Sequence, residues 1–335
     1  MNKLLFHLLR RVILYILIFL VSLTVFFFVL YLGPNDPVQK YVEEMQSRFG
    51  YNTGVTEQGV AAFKAKFMLD KPLGVRYVAF MSQLILHGNF GPSVVVYPTP
   101  AQKVILPALP WTIGLLGISV VIAWIIGMVV GTVLGWQRSK PADTVGTPVA
   151  LFLSQMPIYL MALLLATVFV YAVAVFPSGG AYSAEVKKAF TPQFIGSVIY
   201  YGLLPAISMV LVNFAGWSLS QRALVINLLG EDYMRLAEAK GLPSRVLVSR
   251  YILRNTMLPQ ATGLALSLGF VLNGFFLIEW IFRYPGIGRL FVASIRATDF
   301  NVLLGICVLT MVVVLLANLI MEFVYPFIDP RIRRG

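Results

Sequence analysis

The feature that most constrains this chain is a set of six long apolar stretches, each near the length a helix needs to cross the hydrocarbon core of a bilayer. They run over 12–32, 110–136, 148–176, 198–219, 257–281 and 302–325. A spanning helix requires about 20 mostly apolar residues, because every buried backbone polar group must be satisfied inside the segment. Composition agrees: 59% of residues are hydrophobic, 12% are charged, and the mean hydropathy is +0.83. A soluble domain carries roughly 25% charged residues, so this chain lacks the polar groups to coat a water-facing globule. The lipid bilayer is its expected solvent.

The first stretch follows Lys3, Arg10 and Arg11, a flank shared with signal peptides. It is longer than the 7–15 residues of a signal-peptide core, and no small-x-small cleavage site follows it. It reads as a retained anchor that ends at the breaker Gly33-Pro34-Asn35-Asp36-Pro37.

Orientation follows from the bias of Lys and Arg toward short cytoplasmic loops. With the N-terminus inside, the cytoplasmic pieces 1–11, 137–147, 220–256 and 326–335 hold fourteen basic residues, and the outer loops 177–197 and 282–301 hold five. The outer piece 33–109 is too long for the rule to count. The expectation is an all-α integral membrane protein with six spans and both termini cytoplasmic. The same bias explains the excess of 26 Lys+Arg over 14 Asp+Glu without nucleic acid as a partner. Cys307 is the single cysteine, and the two histidines, His7 and His87, are far apart, so no metal site is expected.

The outer piece contains two expected helices, Thr56 to Met68 with Thr56 as N-cap, and Pro72 to Leu86 with Pro72 in the first turn. The chain thus divides into 1–32, an extracytoplasmic helical insertion over 33–109, a core of five spans over 110–325, and a tail over 326–335.

Several features inside this frame carry chemical interest. Gly127, Gly131 and Gly135 recur every fourth residue and lie on one helix face, where they admit a close neighbour backbone. Ser119, Ser154, Gln155, Asn213, Asn273 and Asn318 are polar positions within spans, suited either to line a pathway or to bond between helices. Glu279 is a carboxylate near a span end, which is a functional candidate by default. Pairing with Arg283, four residues on, is the structural alternative.

The cytoplasmic piece 220–256 is the most informative. Asp232 suits an N-cap, Tyr233 to Lys240 are helix formers, and Gly241 with Pro243 supplies a stop. A helix of about eight residues is marginal alone in water. A face of Tyr233, Leu236, Ala237 and Lys240 therefore calls for a partner, unless the loop rests on lipid headgroups. Ser244 reads as the cap of a second helix leading into the fifth span.

Here the sequence becomes specific. Ala237-Glu238-Ala239-Lys240-Gly241-Leu242, followed by Arg254-Asn255 and Leu258-Pro259, resembles the cytoplasmic "EAA" loop of permease subunits of binding-protein-dependent ABC importers. The eighteen residues from Gly241 to Pro259 are the spacing of the dipeptide/oligopeptide/nickel branch. Leu69-Asp70-Lys71-Pro72-Leu73, Tyr77, Leu109-Pro110-Trp111-Thr112, the run from Phe282 to Leu290, and Asn318, Tyr325 and Asp329-Pro330-Arg331 resemble other segments of that branch.

The resemblance implies the type I ABC importer permease fold, in which the short helix docks on a cytoplasmic ATPase. The contact residues would be Tyr233, Leu236, Ala237, Ala239, Lys240 and Gly241. Asn213, Asn273, Glu279 and Asn318 are the candidates for the pathway or outer gate. The implied partners are a homologous second permease subunit, two cytoplasmic ATPase subunits and an extracytoplasmic solute-binding protein. ATP and Mg would sit on the ATPase subunits. This chain has no Gly-x-x-x-x-Gly-Lys-[Ser/Thr] run, so neither catalytic residues nor a cofactor is expected on it.

One departure stands out. The branch's outer Gly-Asp-x-Gly-x-Ser segment reads Gly88-Asn89-Phe90-Gly91-Pro92-Ser93 here, without the acid. The expected cargo is an oligopeptide-class solute, with oligosaccharides or nickel complexes as the alternative. A membrane enzyme would require more converging carboxylates, and a purely structural membrane protein would leave the capped loop helix without a purpose.

Overall fold

A computed structural model describes residues 2–33, 38–40, 42–43, 57–269 and 276–328. The proposed cap Thr56, the breaker 34–37, Asn273 and the segment from 329 lie outside these residues. The order is α1 (Asn2–Leu32), α2 (Glu57–Lys66), α3 (Leu73–His87), α4 (Ala101–Ile105), α5 (Leu109–Trp136), α6 (Pro141–Gln155) and α7 (Ile158–Ala166). Then follow α8 (Pro192–Leu229), α9 (Asp232–Ala239), α10 (Ser244–Val246), α11 (Leu253–Gly269), α12 (Phe276–Ile281), α13 (Ile287–Arg296) and α14 (Phe300–Ile328). Wider π-type turns occupy Thr167–Ala172 and Leu247–Ile252. No strand forms among the described residues; one isolated bridge joins Pro92 and Pro100.

Among the described residues three helices are long and apolar enough to cross a membrane, Arg10–Leu32 of α1, α5 and α8, and a bent pair could make a fourth span. The apolar run 148–176 is not a straight span. It lies across α6 and α7, which meet at a bend of 96°. Pro157 causes the break, since it has no N–H to donate and forces the preceding Met156 into extended backbone, φ −75°, ψ 126°.

α8 extends beyond the expected 198–219 at both ends. Much of the expected loop 220–256 is therefore helix, and the connections proper are Gly230–Glu231 and Lys240–Pro243. The reason is packing, because Gln221 and Val225, past the apolar run, are fully buried. In the outer piece, Pro72 precedes α3 as its N-cap instead of standing in the first turn.

The chain forms two compact units, 1–110 with 286–315, and 111–285 with 316–335. In the first, Leu23 and Phe27 of α1 are buried. Phe27 meets Tyr77 and Phe80 of α3, and Thr24 and Tyr77 share a 2.7 Å hydrogen bond. The opposite side of α1, with Val21, Val25 and Val29, is exposed and suits lipid. Gly305 of α14 leaves room for Ile105 and Phe90; an added Cβ would stand 2.6 Å and 2.7 Å from them.

In the second unit, α5, α7, α8 and α12 enclose one apolar cluster that includes Leu116, Ala162, Met209 and Ile278. The glycine ladder of α5 faces α8. A Cβ on Gly127 would lie 2.3 Å from Trp217 Cβ, one on Gly131 2.3 Å from the Ser218 carbonyl, and one on Gly135 2.6 Å from Val225 Cβ. These three positions bring the two backbones together as the fourfold spacing implies.

Candidate functional site

The loop helix α9 is held by its ends and by one face. Glu231, not Asp232, takes the N-cap position, with φ −75° and ψ 143° and no side-chain cap bond. Asp232 is the first helical residue, where its charge suits the positive end of the helix. The C-terminal stop is built as the sequence indicates. Gly241 adopts φ +72°, its N–H donates to the Glu238 carbonyl at 2.9 Å, and Leu242 N–H reaches the Ala237 carbonyl at 3.4 Å. This paired closure requires the left-handed backbone that glycine adopts without strain.

The inner face is Met234 and Ala237, 1% and 3% exposed, packed against Val225 of α8 and Leu247 and Ile252 of the following wide turn. Ala237, expected among the contact residues, therefore faces its own chain. Tyr233, Leu236, Ala239, Lys240 and Gly241 stay exposed, with Leu236 at 57% more open than Tyr233 at 39%. Tyr233 is steadied by Asn255, whose Nδ2 donates to the phenol oxygen at 3.4 Å. Partial burial raises the Tyr233 phenol's pKa above its ordinary value, and the nearby Glu231 carboxylate adds to the shift.

The second helix of this region begins differently from expectation. Pro243, extended at φ −66° and ψ 145°, is its N-cap, and Ser244 is the first helical residue. α10, the wide turn Leu247–Ile252 and α11 follow one another without a gap.

Two polar clusters behind α9 were not visible in the sequence. In one, Arg222 of α8 grips Asp143 of α6 with two bonds, Nε to Oδ1 at 2.5 Å and Nη2 to Oδ2 at 2.9 Å. Thr147 Oγ1 and Ser139 N–H also donate to that carboxylate. The Arg222 bonds first, then Thr147, hold the Asp143 carboxyl well below the usual carboxylate range. In the other cluster, the buried Gln221 donates from Nε2 to Thr132 of α5 at 2.9 Å and Thr256 of α11 at 3.0 Å. One amide thus ties three helices. The partners are 35 and 89 residues away in sequence, so spacing gives no hint of either bond.

Glu279 of α12 is 1% exposed and accepts a 2.7 Å hydrogen bond from Thr112 Oγ1 of α5. Beside it, Trp111 stacks on Tyr182 and meets Tyr284 edge-on, each at 5.9 Å between centroids. Asn213 donates to the Met209 carbonyl of its own helix at 2.9 Å. Ser119 likewise bonds one turn back, to Leu115. Asn318 is half-buried in the later part of α14.

In the first unit, Asn89 shapes a turn, with its Oδ1 accepting from Gly91 N–H at 3.0 Å. The buried acid there is Asp299. Its Oδ2 receives Ser93 Oγ at 2.6 Å and Val94 N–H at 2.7 Å, and its Oδ1 receives Val302 N–H at 3.1 Å in the manner of an N-cap to α14.

Long apolar helices, backbone-to-backbone packing through glycine and a short polar helix held at one end of the bundle define a polytopic membrane protein. Comparison with known proteins gives the family. The pattern for binding-protein-dependent transport system inner membrane components matches residues 125–334, and this chain belongs to that family. It is similar to a protein of Brucella ovis named as a peptide permease, 30% identical over 315 residues, covering 94% of this chain and 95% of the relative. It is also similar to the oligopeptide transport system permease protein AppB of Bacillus subtilis, 28% identical over 327 residues, covering 97% and 98%. The glutathione transport system permease protein GsiC of Salmonella choleraesuis is 30% identical over 314 residues, covering 94% of each chain. The protein is an inner-membrane transport component.

Proposed function

We propose that this chain is one permease subunit of an ATP-driven importer, and that it passes an oligopeptide-class solute from an extracytoplasmic binding protein to the cytoplasm by alternating access. Its spans number six, with both termini cytoplasmic. A homologous permease subunit pairs with it, and two ATPase subunits carry ATP and Mg, while this chain carries no ATP site or cofactor. The observation that supports the reading best is the two-faced α9. Met234 and Ala237 fasten it to its own chain, and Tyr233, Leu236 and Lys240 remain outward as a small apolar and basic contact surface. Movement of an ATPase groove around that surface would be transmitted through Val225 to α8 and through Ile252 to α11.

Co-purification tests this. Tagged chain should bring down the ATPase subunits, and Leu236→Ala with Tyr233→Ala should release them while the chain remains folded. Recovery of ATPase at wild-type levels by that variant refutes the contact. Glu279, with Asn213, Asn273 and Asn318, is proposed to belong to the pathway or the outer gate. Glu279→Gln should alter the coupling of ATP hydrolysis to uptake without preventing assembly, and unchanged coupling would return Glu279 to a structural role.

The peptide and glutathione names of the relatives favour a peptide-class cargo. Asn89, in place of the branch's acid, removes a negative charge that would attract a peptide amine, and this keeps a neutral oligosaccharide as the second reading. Peptide and sugar panels against the cognate binding protein separate the two, because a ligand specific to the folded state raises its melting temperature.

A further inference from the structure

The helix that follows the loop carries two rows with the same unusual step. Leu247, Ile252, Thr256 and Gln260 are all buried, at 4%, 0%, 1% and 2% exposure, and their spacing is five, four and four. Arg245, Arg250 and Arg254 are all exposed, and their spacing is five and four. In an unbroken α-helix residues four apart stack, so a five-residue step would throw each row onto another face. The π turn over Leu247–Ile252 bonds i to i+5 and absorbs the extra residue. Both rows therefore stay continuous, one sealed into the protein and the other a line of guanidinium groups.

Among the described residues this line has no charge partner, and no ion pair joins it to Glu231, Asp232 or Glu238, the acids of the neighbouring α9. One turn further on the row becomes apolar while staying open: Met257 is 44% exposed and Leu258 39%. Met257 opens the apolar stretch 257–281, so an exposed surface at this turn suits lipid. A change from guanidinium to exposed aliphatic within one turn matches the step from headgroup to acyl chain at a bilayer surface.

We propose that Arg245, Arg250 and Arg254 form a binding site for the phosphate headgroups of anionic phospholipids, which fix the depth of this helix where it enters the membrane. Guanidinium suits the ligand, since its planar fork donates two parallel bonds to phosphate oxygens. The proposal concerns lipid and does not depend on the identity of the cargo or of the ATPase.

The test uses the purified full-length chain in neutral detergent, titrated with phosphatidylglycerol and separately with phosphatidylcholine, with the melting midpoint followed by tryptophan fluorescence. Phosphatidylglycerol should raise the midpoint and phosphatidylcholine should not, with the effect weakened by added salt. Each of Arg245→Gln, Arg250→Gln and Arg254→Gln should raise the half-saturating phosphatidylglycerol concentration about fivefold, and the triple variant should not respond. Arg235→Gln, on the exposed side of α9, should respond as wild type. If the triple variant fails to fold, the single variants decide. Equal responses to the two lipids, or wild-type titrations in the single variants, overturn the proposal. So does a triple variant that keeps its lipid response but loses co-purified ATPase, which would make the row a protein-docking face.

Discussion

The crossing of α5 on α8 and the loop helix α9 lie in the same unit and are built on opposite terms. The crossing is filled from within the chain. Glycines admit the neighbouring backbone to contact distance, one buried amide bonds to two other helices, and an arginine closes on a carboxylate at the end. α9 is half finished. It buries two side chains and leaves an aromatic, a leucine and a lysine in the open. A helix of this length has too little intrinsic stability to persist without its tertiary contacts, so the buried half holds it in place and the open half remains available to a partner. Substitutions at the crossing should therefore act on folding, and substitutions on the open face of α9 on association.

The largest effect should come from Gly131→Leu. A Cβ there meets the Ser218 carbonyl at 2.3 Å and Gln221 Cβ at 2.7 Å, and neither backbone has a flexible side chain to withdraw. Overpacking of a tight core typically costs about 1–3 kcal/mol. A clash repeated along a whole leucine should exceed that and abolish the folded bundle, read as loss of a monodisperse peak in detergent. A stable, monodisperse Gly131→Leu protein would mean the helices are not in contact at this glycine.

Next is Asp143→Asn, which leaves Arg222 without its counter-charge. Breaking a buried pair costs about 3–5 kcal/mol. Because a quarter of the Arg222 side chain is exposed, the loss should be near 3 kcal/mol. The pH dependence has a definite sign. The Asp143 carboxyl is depressed in the folded chain, so its contribution is full above the unfolded aspartate value of about 3.9 and fades as pH falls below it toward the folded value. The stability gap between wild type and Asp143→Asn should narrow on acidification below about pH 4, and a gap that widens there would contradict the pairing.

How far the sequence reveals this contrast depends on the length scale of the signal. The Gly127-Gly131-Gly135 face is legible because a period of four is local, and the stop at Gly241 is legible because it needs only one glycine with positive φ. The bend at Pro157 is marked by its proline and by the polar Ser154 and Gln155 before it, yet the long apolar run on both sides averages them out in any measure of hydropathy. The pair Asp143–Arg222 joins residues 79 apart and leaves no local trace. The five-residue step from Leu247 to Ile252 resembles a lapse in periodicity until a π turn is known to fill it. On α9 the sequence places Tyr233, Leu236, Ala237 and Lys240 together, because hydrophobicity marks what is to be covered and not by which chain. Only the packing of Met234 and Ala237 on Val225 and Ile252 divides the helix into an inner and an outer side.

That division can be measured with substitutions two residues apart on α9. Met234→Ala removes a side chain that is 1% exposed and should cost about 2–3 kcal/mol, in the lower part of the range for Met→Ala in a core, because the surrounding cluster is small. Leu236→Ala, at 57% exposure, should change stability by no more than about 0.5 kcal/mol. In co-purification the order reverses. Leu236→Ala should lose ATPase while the free chain melts as wild type, whereas Met234→Ala should lose ATPase only to the extent that its melting point falls. If the two variants show the same ratio of lost stability to lost association, α9 has no separate outer face. The coupling surface would then have to be sought elsewhere on the chain.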